Sequence, residues 1–73
     1  MSNATQPDRA GLTLVLVGDA LADAARLIAV NALIAESAAR RGDGVEAFAK
    51  LRIVADVLDE AREIVAIAGR IAR

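Results

Sequence analysis

The segment Arg40-Arg41-Gly42-Asp43-Gly44 interrupts two long stretches of helix-forming composition and decides the fold. The two arginines suit the negative C-terminal end of a helix, and Gly42 suits the left-handed residue that closes one. Asp43 can then cap the next helix, with Glu46 three residues later completing a capping box. Because the turn comprises only residues 42–44, the two helices must lie side by side and antiparallel.

The flanking stretches predict two helices of similar length and no other element. Helix 1 is expected at about 8–41 and helix 2 at about 45–73, after a flexible segment over 1–7. The polar start signal Thr5-Gln6-Pro7-Asp8 fits the first boundary, although a start at residues 11–12 fits as well. The predicted fold class is therefore all-α, an antiparallel two-helix hairpin.

The apolar content is higher than a lone hairpin needs. Of the 73 residues 56% are apolar, and the mean hydropathy is +0.44. Helix 1 is apolar on nearly all sides, whereas one hairpin partner can cover only one side. If about eight large aliphatic side chains stayed outside, each would forgo about 1.5–3 kcal/mol of burial. We therefore expect hairpins to associate into a four-helix bundle or larger helical oligomer, most simply a homodimer.

Heptad spacing predicts which residues pack within this coiled coil and which face outward. On helix 2 the expected seam contains Leu51, Leu58 and Val65. A turn centred near Asp43 pairs residues whose numbers sum to about 86. The expected neighbours are Leu21 with Val65, Ile28 with Leu58, Gly18 with Ala68 and Gly69, and Arg26 with Glu60 and Glu63. The predicted oligomer interface consists of Leu16, Leu27, Val30, Leu33, Ile34, Ile53, Val57, Ile64, Ile67 and Ile71.

Candidate chemistry is sparse because the chain has no His and no Cys. These absences remove the commonest general base, the commonest transition-metal ligand and any disulfide. Asp19 and Asp23 lie four residues apart and could hold a metal or act as acid and base. A solvated strip with an Asp23–Arg26 ion pair is the favoured interpretation. We expect no catalytic, cofactor-binding or metal-binding residues and no enzymatic activity.

Three further polar features have two interpretations each. Asn31 either lies buried in the seam, where it fixes register, or sits at the seam's edge. Arg40 and Arg41 could contact phosphate, but compensation of the helix dipole is favoured. The acidic residues within 56–63 could meet a basic partner, although such a run usually forms the solvated side of an amphipathic helix.

The predicted function follows from the excess of apolar surface and the lack of a recognisable site. A net charge of −1 gives no general attraction to nucleic acid or anionic lipid. The chain lacks a signal peptide, a membrane-spanning run and cysteines, so a cytoplasmic location is expected. We expect a non-enzymatic helical-hairpin homo-oligomer, acting as a structural or protein-interaction module. The alternative is a small regulator or adaptor whose apolar stripe binds a helix of another protein, with RNA or a membrane surface less favoured.

Overall fold

The computed structural model describes the backbone of residues 5–72 and the side chains of 11–12 and 14–71. Two helices, α1 (Thr5–Arg40) and α2 (Gly44–Ala72), pack against each other as a hairpin, and the described residues contain no strand. The predicted all-α hairpin is confirmed. Helix α1 begins three residues before the expected residue 8. The capping predicted for Thr5 and Asp8 concerns side chains outside the described set.

The turn closes α1 and opens α2 through one short segment. Gly42 has a φ of 81°, the left-handed conformation predicted for it. Its N–H donates to the Ala39 carbonyl at 3.0 Å, and the Asp43 N–H donates to the Ala38 carbonyl at 2.8 Å. The Asp43 Oδ1 accepts the Glu46 N–H at 3.1 Å. Asp43 therefore ends one helix and caps the next, as the sequence predicts.

The predicted capping box is only half formed. Glu46 would have to accept the Asp43 N–H, but that N–H is already bonded to the Ala38 carbonyl. The Glu46 Oε1 instead accepts from Arg41 Nη2 at 3.1 Å. The predicted capping box is therefore wrong in its second half, and the carboxylate joins the end of α1 to the start of α2. The pair is solvent-accessible, so its contribution to stability is at most about 1 kcal/mol.

The hairpin is a rod. Its principal extents are 63 × 17 × 12 Å, and its radius of gyration is 17.4 Å. A compact domain of this length would have a radius of gyration of about 11 Å. Each helix therefore has one neighbour where the two overlap, α1 being the longer with 36 residues against 29, and the rest of its circumference faces outward.

The contact between the helices follows a strict heptad pattern. Partly or fully buried side chains recur at alternating steps of three and four residues on both helices, as positions a and d of an antiparallel coiled coil do. We call this set the hairpin seam: Val17, Leu21, Ala24, Ile28, Asn31, Ala35 and Ala38 on α1, and Ala47, Lys50, Val54, Val57, Ala61, Ile64, Ala68 and Ile71 on α2.

The register of the seam differs by one residue from the expected one. Its two halves mirror each other about a point between Gly42 and Asp43, so the numbers of two facing residues sum to 85. We call this the mirror relation. Leu21 thus lies across from Ile64, and Ile28 across from Val57. The predicted partners Val65 and Leu58 are wrong, since both are exposed. The reason lies in the turn. Asp43 bonds to the end of α1 and also caps α2, so the centre of the turn lies between residues 42 and 43 rather than at residue 43.

The buried core of the hairpin is made of small side chains. Among the described residues, the buried apolar ones are Ala24, Ala35, Ala38 and Ala47, and no large side chain is fully buried. The alanines let the helix axes approach closely, but each removes little apolar surface from water. The hairpin therefore holds its register with a core that stabilises it only weakly.

The close backbone approach predicted at Gly18 is absent. A Cβ built at Gly18, or at Gly69 on α2, would meet no atom of the chain within 4 Å. Both glycines are exposed. The predicted Gly18 contact with Ala68 and Gly69 is therefore wrong, because the mirror relation places Val17 across from Ala68 and turns Gly18 outward.

Two glycine substitutions should change stability in opposite directions. Gly18→Ala should raise the free energy of unfolding by about 1 kcal/mol, because alanine is the better residue inside a helix. Gly42→Ala should lower it by about 1–2 kcal/mol, because the turn requires a positive φ. Thermal unfolding followed by circular dichroism measures both. A loss of stability in Gly18→Ala would contradict the open position described here.

Candidate functional site

The polar candidates from the sequence form isolated pairs on the surface. Asp23 Oδ1 lies 3.5 Å from Arg26 Nη2, as predicted, and Asp19 is exposed. The predicted contact of Arg26 with Glu60 and Glu63 on α2 is not formed, since its guanidinium turns to its own helix. Among the described residues no group of three acidic side chains has the arrangement that holds a metal ion.

The arginines at the turn are engaged within the hairpin. Arg40 Nη2 donates to Glu36 Oε2 at 2.9 Å, a pair four residues apart on the same helix. Arg41 donates to Ser37 Oγ at 2.9 Å and to Glu46. The turn therefore carries two arginines whose charges already have acidic neighbours. Glu46 with Lys50 and Arg52 with Asp56 have the same four-residue spacing, but neither forms an ion pair among the described side chains.

The acidic run of α2 lies in solvent. All four acidic side chains are exposed, and Asp59 Oδ1 lies 3.6 Å from Arg62 Nη1 on the same helix. This arrangement agrees with the interpretation of a solvated helix side. The four residues are Asp56, Asp59, Glu60 and Glu63.

One depression on the surface could be considered as a small-molecule site. It has a volume of about 310 Å³ and is lined by Asp23, Arg26 and Leu27. All three belong to α1, and the depression is open to solvent. Pockets that retain small ligands enclose most of the ligand's surface between several elements, which this one does not.

Asn31 lies in the hairpin seam rather than at its edge. Its side chain is 9% exposed, and its Nδ2 donates to the Leu27 carbonyl at 2.8 Å. The mirror relation places it across from Val54. Because this bond lies within α1, it satisfies the amide in any register, and a role of Asn31 in fixing the register stays a prediction. Its neighbouring layer is also polar, since Lys50 lies half-buried across from Ala35.

The residues beside the hairpin seam form two outer faces. In a coiled coil, positions e and g flank the seam, and positions b and c lie next to them. Because the helices are antiparallel, the e positions of both lie on one side of the pair and the g positions on the other. The bond between Arg41 and Glu46, which are both g positions, matches this arrangement.

We call the side formed by the e and b positions the apolar face. Its α2 half carries the large exposed side chains of Phe48, Leu51, Leu58 and Val65, whereas its α1 half is mostly alanine, with Val15 as its one large apolar side chain. Only two of its fifteen residues are charged. The apolar face comprises Val15, Gly18, Ala22, Ala25, Ala29, Ala32, Glu36, Ala39, Phe48, Leu51, Ala55, Leu58, Arg62, Val65 and Gly69.

We call the side formed by the g and c positions the mixed face. Aliphatic side chains alternate there with charges, so that seven of its sixteen residues are charged. The mixed face comprises Leu16, Ala20, Asp23, Leu27, Val30, Ile34, Ser37, Arg41, Glu46, Ala49, Ile53, Asp56, Glu60, Glu63, Ile67 and Arg70.

The structure divides the ten predicted interface residues between these regions. Leu16, Leu27, Val30, Ile53 and Ile67 are exposed on the mixed face, and Leu33 is exposed at the outer edge of α1. Of the half-buried remainder, Ile34 flanks the hairpin seam, whereas Val57, Ile64 and Ile71 lie within it and pack the two helices together. Their role in association stays a prediction.

The apolar face is the surface that the sequence analysis missed. Leu51, Leu58 and Val65 were assigned to packing within the hairpin, yet each is about half exposed. The heptad repeat of these residues was visible in the sequence. The side of α2 that packs against α1 could not be read from the repeat, because a shift of one residue at the turn decides which of two adjacent heptad stripes meets α1.

Comparison of the chain with protein-family models, with curated proteins and with solved structures found no match. Neither described helix combines the length and apolar character needed to cross a membrane.

Replacing the buried amide should make the hairpin more stable and less specific. We expect Asn31→Leu to raise the free energy of unfolding by about 1–2 kcal/mol, because leucine gains burial across from Val54. It should also broaden or multiply amide resonances in NMR spectra, because the polar constraint on register is lost. Lower stability with a single sharp set of resonances would contradict this role for Asn31.

Proposed function

We propose that this chain is a non-enzymatic interaction module that works as a homo-oligomer, with a dimer of hairpins as its basic unit. The observation that carries the proposal is the contrast between core and surface. The buried apolar residues are alanines, while fourteen large apolar side chains on the described residues are exposed. Monomeric proteins rarely expose contiguous apolar patches of this kind.

The accessible surface supports association. The hairpin exposes 5535 Å², whereas a compact monomer of its 7.6 kDa mass would expose about 4300 Å². A compact protein of twice the mass would expose about 7100 Å², so two hairpins that formed a dimer this compact would bury at most about 4000 Å² in total. That amount lies within the range of about 2000–5000 Å² found for obligate homodimers.

The polar groups of the hairpin support a structural role over a chemical one. The ion pairs described above join exposed side chains that are neighbours along one helix or across the turn. The buried polar residue, Asn31, bonds to a carbonyl of its own helix. These groups join neighbours along one helix or across the turn, and the proposal therefore rests on the exposed apolar surface.

The alternative is an adaptor whose apolar surface receives a helix of a different protein. A foreign helix could cover one stripe, but the hairpin is itself a pair of helices with the required length and composition. A second copy is therefore the partner that we propose, and an adaptor is the outcome to consider if the chain does not self-associate.

Sedimentation equilibrium tests the proposal. Over chain concentrations from about 1 to about 100 µM we expect a mass of twice 7.6 kDa or a larger multiple. Helicity measured by circular dichroism on the same samples should fall where the mass falls. A fully helical monomer at every concentration would overturn the proposal. A poorly helical monomer would also overturn it and would favour the adaptor.

A further inference from the structure

We propose that a second copy of the chain docks on the apolar face, with both turns at the same end of the resulting four-helix bundle. This inference rests on the proposed self-association and adds to it the docking surface and the orientation. It differs from the interface expected from the sequence, most of whose exposed residues lie on the mixed face.

The charge distribution selects the apolar face over the mixed face. Docking through the mixed face would enclose charges that alternate with its aliphatic residues. Among the g positions, whose nearest pairs sum to 87 as Arg41 and Glu46 do, Glu60 lies beside Leu27 in the middle of the hairpin. Burying an unpaired carboxylate is costly. On the apolar face the two charged residues, Glu36 and Arg62, occupy the outer b positions, from which their heads can reach solvent.

The apolar face is complementary to a copy of itself. At three levels along the rod, α2 presents a large side chain at an e position and α1 a small one, in pairs whose residue numbers sum to 83. The pairs are Gly18 with Val65, Ala25 with Leu58, and Ala32 with Leu51. At the end far from the turn the order is reversed, with the large Val15 on α1 and Gly69 on α2. A twofold axis parallel to the helices lays the large side chains of each copy over the small residues of the other. Large residues then meet small ones at these three levels, which fills the space evenly there.

The opposite orientation fits less well. A twofold axis perpendicular to the helices, with the turns at opposite ends, places α1 on α1 and α2 on α2. Alanine would then meet alanine on one side, and leucine, valine and phenylalanine would meet on the other. Helix axes separate by about 8 Å over small residues and about 10 Å over large ones. The two hairpins would have to tilt apart along one edge, which leaves voids beside the alanines.

Charges at the outer edge favour the same orientation. Arg26 and Asp59 occupy f positions at the same level, since their numbers sum to 85. With the turns at one end, Arg26 of each copy comes beside Asp59 of the other, twice by symmetry. Both side chains are exposed, and each now pairs only along its own helix, Arg26 with Asp23 and Asp59 with Arg62. They are therefore able to pair across the edge without being buried.

A matched pair of leucine substitutions tests the docking surface. Leu58 on the apolar face is 46% exposed, and Leu27 on the mixed face is 50% exposed. We expect Leu58→Glu to weaken the dimer at least about 100-fold in dissociation constant, because it buries a carboxylate in the interface. Leu27→Glu should leave it within about threefold of the unmodified chain, because residue 27 stays in water. Sedimentation equilibrium measures both.

A distance measurement tests the orientation without altering either face. Val45 is 84% exposed near the turn, so a spin label on Val45→Cys should not disturb packing. With both turns at one end, pulsed electron spin resonance should give a label separation of about 20–30 Å. With the turns at opposite ends, the separation should be about 45 Å or more, the length of α2.

The outcomes separate this inference from the proposed function. A monomeric unmodified chain overturns both. A dimer that Leu27→Glu dissociates and Leu58→Glu does not keeps the self-association and overturns the apolar face as the interface. A dimer that depends on Leu58 but has a long label separation overturns the orientation. Dissociation by Leu58→Glu alone, with a short label separation, supports the inference in full.

Discussion

The hairpin seam is the contact on which the rest of this molecule depends. Its fully buried apolar residues are alanines, and its larger aliphatic side chains are only half-buried. Such a seam sets the direction of the two helices, but it removes little apolar surface from water. In the proposed assembly, the stabilisation that a globular core would provide comes from the outside of the hairpin. The exposed leucines, valines and isoleucines are the apolar surface that would then be removed from water.

The turn controls which surface is left over. Asp43 donates its N–H to the end of α1 and accepts the Glu46 N–H at the start of α2. This double role places the mirror point between Gly42 and Asp43 and selects one of two adjacent heptad stripes on α2 for the seam. The other stripe, with Leu51, Leu58 and Val65, faces outward beside the small residues of α1. A local hydrogen-bonding pattern thus determines the chemistry of a face that extends along the whole rod.

Much of the fold could be predicted from the sequence, because its signals are local. The Gly42-Asp43 pair, the helix-forming composition and the absence of a second break fix two antiparallel helices. The ion pairs of Arg26 with Asp23 and of Arg40 with Glu36 follow from helical spacing alone. The Arg41–Glu46 pair was missed, because it depends on the geometry of the turn.

The candidate site could be predicted only in part, because it depends on rotation about the helix axes. An excess of apolar surface was evident from composition. Its division into an apolar face and a mixed face was not, because a shift of one residue turns each side chain by about 100° around the helix. Leu58 was therefore expected inside the hairpin and Val57 outside it, and the structure reverses the two.

The central claim is that the hairpin is stable only when its outer apolar surface is covered by another copy. The most direct test is the dependence of the thermal unfolding midpoint on chain concentration. If folding and pairing are coupled, the midpoint should rise by roughly 5–10 °C for a hundredfold increase in concentration. A cooperative transition whose midpoint does not change with concentration would mean that the alanine seam suffices by itself, and would contradict the claim.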